Sequence, residues 1–126
     1  MNADSNFNFV ISKLEAWLTG VRHDARRQCD RILGPIVDDI PFVSGDKVLL
    51  LVNGMGGTPQ VELYIVFRRA AEVLASKGIE VTRTLVGNYT TSLEMQGASI
   101  TVLKLDDELT ALWDAPVHTA ALRWGR

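Results

Sequence analysis

Cysteine is nearly absent from this chain of 126 residues: Cys29 stands alone, beside only two histidines. One thiol excludes an internal disulfide framework and any zinc site built on several cysteines, and it fits a reducing, cytoplasmic setting. Excess charge is missing as well. Thirteen Lys and Arg against fifteen Asp and Glu leave a net charge of −2, which gives no electrostatic footprint for nucleic acid or an anionic membrane. No apolar run approaches the roughly 20 residues that span a bilayer. The N-terminus has no basic region leading into an apolar core, so no signal peptide is expected. What remains is 47% hydrophobic and 22% charged, the composition of a globular domain. A chain of this length forms one domain and buries about two-thirds of its unfolded surface.

Hydrophobic spacing gives the coarse organisation. Val10, Ile11, Leu14, Trp17 and Leu18 predict an amphipathic helix over 5–18 that ends at Gly20. Ala25, Cys29, Ile32, Leu33, Ile36, Val37 and Ile40 predict a second helix, with a kink or break expected at Gly34-Pro35 and an end at Pro41. The run 47–52 is apolar on both faces and predicts a central strand covered on both sides. A helix follows with Thr58 as N-cap, Pro59 in first position and Gly78 as its stop, burying Val61, Tyr64, Ile65, Ala71, Val73 and Leu74. Alternation over 79–86 predicts a half-exposed strand, and 99–105 and 109–113 predict a hairpin about Asp106-Asp107-Glu108. The order α-α-β-α-β-β-β makes an α/β domain, a mixed sheet flanked by helices.

Several residue groups are candidates for chemistry. Asn53, Gly54, Gly56, Gly57 and Thr58 join the central strand to a helix N-terminus, where glycine permits close backbone approach and the helix dipole favours anions. The corner lacks the Gly-Lys-Ser/Thr of a Walker A loop and is not a G-x-G-x-x-G fingerprint. It reads either as a ligand loop, in an independent phosphate- or nucleotide-binding domain at the extreme, or as a tight turn that needs positive φ. His23, beside Asp24, is weighed as a nucleophile toward a ketone against a solvent-facing residue in a charged helix start. His118 falls in a tail read as extended and partly mobile. Asp106-Asp107-Glu108 reads as a solvated turn, since consecutive acids diverge, and no metal site is expected. Arg22, Arg26, Arg27 and Arg31 read as ordinary surface charge diluted by Asp24 and Asp30. Cys29, on its helix's apolar stripe, reads as a buried, inert thiol. Ser92, Leu93, Glu94 and Met95, in a polar loop with one apolar pair, suit a contact with another domain or subunit.

Three stretches carry a resemblance: SGDKVLLLVNGMGGTPQVELYIVFRR (44–69), GIEVTRTLVGNYTTSLEMQGASITVLKLDDELTALWDAP (78–116) and the tail HTAALRWGR (118–126). In this order and spacing, from about residue 32 onward, the chain resembles the C-terminal subdomain of the substrate-binding (K) subunit of dihydroxyacetone kinases. That resemblance implies a ketose site whose phosphoryl donor, ATP with Mg or a phosphotransferase-charged nucleotide, sits on a partner subunit, with no cofactor held by this chain. It also implies a covalent anchor, a hemiaminal on a histidine within Gly-Ile-His-Gly-Glu-Pro-Gly. This chain has no such motif. It carries Gly20-Val21-Arg22-His23-Asp24-Ala25-Arg26-Arg27 instead, so His23 matches in distance but not in neighbours, and the anchor is not carried over to it.

The expectation is therefore a divergent segment over 1–30 and a kinase-like subdomain over 31–126. A fragment lacking the family's first K subdomain is expected to be catalytically incomplete alone. The alternative is a non-catalytic interaction or dimerisation module with the same fold, its uncovered apolar face met by a homo-oligomer or by the N-terminal helix.

Overall fold

The computed structural model describes residues 21–125; the helix expected over 5–18 lies outside them, as do the side chains of residues 21–24. Eight elements follow in order: α1 (Val21–Asp39), β1 (Lys47–Gly54), α2 (Gln60–Ser76), β2 (Glu80–Gly87), β3 (Ala98–Leu105), α3 (Asp107–Asp114), β4 (Val117–His118) and β5 (Arg123–Trp124). β1 is the centre of a three-stranded sheet ordered β2-β1-β3, parallel to β2 and antiparallel to β3. The mixed α/β fold is thus as the sequence predicts. No helix among the described residues is long and apolar enough to cross a membrane.

The core lies between the sheet and α1 with α2. Val48, Leu50 and Val52 of β1 and Ile100 and Val102 of β3 meet Cys29, Leu33 and Ile36 of α1 and Leu63, Val66, Ala70 and Leu74 of α2. Cys29 is fully buried, its Sγ 3.6 Å from the Val66 carbonyl oxygen, and burial, with a smaller push from Asp30, drives its thiol up to about 12. It is the inert core thiol expected.

Several local expectations are corrected. α1 continues through Gly34-Pro35, because Pro35 is exposed while Ile32, Leu33, Ile36 and Val37 are buried on the sheet side. The carbonyl that Pro35 orphans, four residues back at the exposed Arg31, can be met by water. α2 buries Leu63, Val66, Ala70 and Leu74, while Val61 and Tyr64 are 65% and 55% exposed. Leu74 is buried and Ala71 and Val73 pack against the core as expected, but the near-continuous apolar run VELYIVF left the first turns ambiguous, and packing there chose Leu63 and Val66. Thr58 does not cap α2: Pro59 occupies that position and makes no side-chain bond, and the Thr58 hydroxyl is used elsewhere. Gly78 does stop the helix, at φ +75°.

The expected hairpin is a helix. Asp106 Oδ1 accepts from Leu109 N at 2.7 Å, an N-cap, and Asp107 and Glu108 fill the first turn where the helix dipole favours acids. The tail is folded as well: β4 pairs with β5, Trp124 Nε1 donates to the Ala115 carbonyl at 2.9 Å, and the Trp113 and Trp124 rings lie 5.1 Å apart. α3 is tied to β2 by Arg83, whose Nε and Nη2 each donate to Asp114 at 2.6 Å.

The alternation over β2 changes phase. Val48 pairs with Val81 but Leu49 pairs with Arg83, so Thr82 is an extra residue opposite β1. The shift lets Val81 and Val86, of opposite parity, both pack on the core.

Candidate functional site

β1 and β2 are parallel, and both end at the same edge of the sheet, where ligands collect in open α/β folds. Two segments leave that edge: the corner 53–59, entering α2, and the loop 88–97, returning to β3. The sequence offered them as separate candidates. The structure brings them together as one seam.

Asn53, only 2% exposed, closes the seam at its base. Its Oδ1 accepts from Tyr89 N at 2.8 Å and Thr90 N at 2.9 Å, and its Nδ2 donates to the Thr90 carbonyl at 2.8 Å and to Ser99 Oγ at 3.5 Å. Farther along, Met55 N donates to Gly97 O (3.1 Å), Gly57 N to Met95 O (2.9 Å) and Met95 N back to Met55 O (3.1 Å). Gly56 N donates to Asn88 Oδ1 at 3.1 Å, and Ser92 Oγ to Met55 O at 2.6 Å. The Thr58 hydroxyl both donates to Gly97 O and accepts from Gly97 N, each at 2.8 Å. The amides of Met55, Gly56 and Gly57 are thereby spent within the chain.

The glycines serve that close approach. Gly56 has φ +97°, and a Cβ there would run into the Ser92 carbonyl; one on Gly54 would strike the Asn88 side chain. The corner is a loop-to-loop seam, with its amides turned to the neighbouring loop. The seam displays three apolar side chains, Leu93 at 101% exposed, Met95 at 36% and Tyr89 at 37%, among the exposed polar residues Asn88, Thr90, Thr91 and Gln96. Glu94 is exposed beside Leu93.

Of the remaining candidates, His23 lies in the first turn of α1, and its side chain is outside the described residues. α1 spans residue 30, where the divergent segment was drawn to end, and places Cys29 in the core. Arg26, Arg27 and Arg31 are exposed, and Asp30 pairs with Arg69 of α2 at 2.8 Å. No cluster of three metal-ligating side chains occurs among the described residues. His118 lies in β4, beside a cavity of about 320 Å³ lined by Val117, His118, Arg123, Trp124 and Gly125, none of them seam residues. Sequence reasoning missed Asn88, Tyr89, Gly97 and Ser99 as seam partners. The readable signal for Asn88 was an asparagine directly after a strand, before Tyr-Thr-Thr-Ser.

The profile of the family described as Dak1 domain matches residues 19–121. The chain belongs to the Dak1 domain family. The match begins ahead of residue 32, where the motif-level resemblance starts, so it includes α1 from its first residue. Among curated Dak1 relatives, the chain is 55% identical over 86 residues to the PEP-dependent dihydroxyacetone kinase, dihydroxyacetone-binding subunit DhaK of Escherichia coli, covering 68% of this chain and 24% of that protein. It is 43% identical over 95 residues to the PTS-dependent dihydroxyacetone kinase 2, dihydroxyacetone-binding subunit DhaK of Listeria innocua serovar 6a, covering 75% and 29%. A solved structure described as dihydroxyacetone kinase operon co-activator Dha-DhaQ superposes with a TM-score of 0.68 at 27% identity, over 73% of this chain and 29% of that one. The chain therefore spans about a quarter of the length of the curated relatives it matches.

Proposed function

We propose that this chain is a substrate-binding fragment of the dihydroxyacetone kinase type, contributing part of a site for a short ketose. The observation that carries this reading is the 55% identity to a dihydroxyacetone-binding subunit within a matched Dak1 domain. In this reading the ketose is held while its terminal hydroxyl attacks the donor phosphoryl group: a new P–O bond forms, the donor's P–O bond breaks and the hydroxyl proton leaves. Positioning and charge neutralisation supply most of the rate in such a transfer. The donor, ATP with Mg or a phosphotransferase-charged nucleotide, belongs to a partner subunit, and the seam at the carboxyl ends of β1 and β2 faces the partner subunit or a further K subdomain. No anchor residue is assigned, since His23 matches the family histidine in distance but not in neighbours. A cytoplasmic setting suits the single, buried thiol.

The test is a titration of the purified chain with carbonyl-labelled dihydroxyacetone, followed by carbon NMR, alongside a kinase assay without other proteins. Conversion of the carbonyl signal to a tetrahedral carbon coupled to the His23 ring would mean that the anchor has survived in an altered sequence. Turnover by the isolated chain would refute its incompleteness, and an unchanged ketone signal with no amide shift would remove the ketose site.

A second reading has its own support. The structural neighbour described as an operon co-activator lends weight to a non-catalytic interaction or dimerisation module, and the full exposure of Leu93 is in keeping with it. Light scattering at rising concentration separates the two: self-association with no ketose binding favours the module.

A further inference from the structure

We infer that Asn53 is the positioning residue of the candidate site: its buried carboxamide, more than the glycines beside it, sets the shape of the 88–97 loop while facing no ligand. The functional half of this inference rests on the proposed reading of the seam.

A carboxamide offers two acceptor positions on oxygen and two N–H donors on nitrogen. Asn53 uses all four, two on the amides of Tyr89 and Thr90 and two on the Thr90 carbonyl and Ser99 Oγ. It does so from the end of β1, the central and most enclosed strand, so the loop root is referred to the stiffest part of the fold. The opposite root is held at Gly97 by Thr58. Between the roots, Thr91, Leu93, Glu94 and Gln96 are exposed, and the tip is tied to the corner by the half-buried Ser92 hydroxyl and the Met95 backbone, both on Met55 O. The glycines remove obstacles to this arrangement, and Asn53 supplies the directional bonds at its Tyr89–Thr90 root. Aspartate keeps the size and the acceptors but loses both donors, placing an oxygen against the Thr90 carbonyl.

The experiment compares hydrogen exchange in the full chain for the native protein, Asn53→Asp and Asn53→Ala, without ligand. The expected result is exchange faster by about tenfold or more at the amides of Tyr89, Thr90, Gly56 and Gly57, with Leu50 and Ile100 unchanged. Acceleration spread evenly over β1 and β3 would overturn the inference, as would outright unfolding of Asn53→Asp, because either marks Asn53 as ordinary core. Dihydroxyacetone titration is then run on the same proteins. Weakening by about tenfold in Asn53→Asp, with Leu50 protection intact, supports the positioning role; equal binding by both proteins overturns it. If the native chain binds no ketose, the ketose reading alone fails, and the local or global character of the exchange decides Asn53.

Discussion

On one face of the sheet Val48, Leu50, Val52, Ile100 and Val102 lie beneath α1 and α2, none more than 4% exposed. On the other, Leu49 and Leu105 are buried, yet Leu51, Thr101 and Leu103 are only half-buried, and α3 contributes no buried residue. There the attachment is directional: the paired Arg83–Asp114 bonds, the Trp113–Trp124 contact and the Trp124 bond to Ala115. Burial on the first face scales with area and tolerates salt and acid. Polar ties on the second contribute little stability each and respond to both. A fold can therefore keep a hard side, which defines it, and a soft side whose cover is conditional.

Cutting the same side chain on each face is the most forceful way to break this contrast. Leu50→Ala is expected to cost about 3 kcal/mol, from lost transfer energy and the cavity left behind, and Leu103→Ala about 1 kcal/mol, both read from urea unfolding. Equal losses would erase the distinction. A second measurement sharpens it, in a Trp17→Phe background so that emission reports Trp113 and Trp124 alone. Emission should change at lower denaturant than alkylation of Cys29, whose thiol, pushed up to about 12 by burial, becomes reactive only as the α1 face opens. Coincident transitions would make the two faces one cooperative unit.

A smaller effect is expected from Asp114→Asn, which should alter tryptophan emission while leaving the melting temperature nearly unchanged. Its pH counterpart follows from the Arg83 hydrogen bond, which lowers the Asp114 carboxyl below its ordinary value. A lowered folded value means the tie is fully present above the ordinary carboxylate range and is lost as pH falls through that lowered value. Acid should therefore loosen the tail only below the usual carboxylate range, and Asp114→Asn should abolish that step in emission. Smallest of all, Leu93→Ser should change stability by less than about 0.5 kcal/mol, since the side chain is wholly exposed. A larger loss in the isolated monomer would mean that Leu93 has a structural role.

The sequence made the hard side legible and left the soft side obscure, for physical reasons. β1 and the Gly78 stop were readable because a short run apolar on both faces and a glycine past a helix each admit few structures. α3 was read as a strand because Leu-Thr-Ala-Leu-Trp suits both states over so few residues, and the deciding bond is made by Asp106, just outside that run. The inward face of α2 could not be chosen from VELYIVF, where apolar residues nearly encircle the helix. At the candidate site, both the corner and the 92–95 contact residues stood out as unusual segments. Their union did not, because its bonds join residues far apart in the chain, such as Asn53 and its first partner Tyr89, 36 residues later.

The single extra residue at Thr82 acts on β2 much as an inserted letter acts on a reading frame. Everything downstream is read in the other phase, which puts Val86 on the core, keeps Arg83 beside Leu49 where Asp114 can reach it, and sets Gly87 opposite Asn53. Pairing Thr82 with Leu49 in a regular strand would instead keep the earlier phase, turning Arg83 toward the α1 and α2 side and Val86 away from it. The register of one strand thus links the buried core, the tethered helix and the clamp at the site, and a lineage that kept Thr82 but straightened the bulge would have to change all three together.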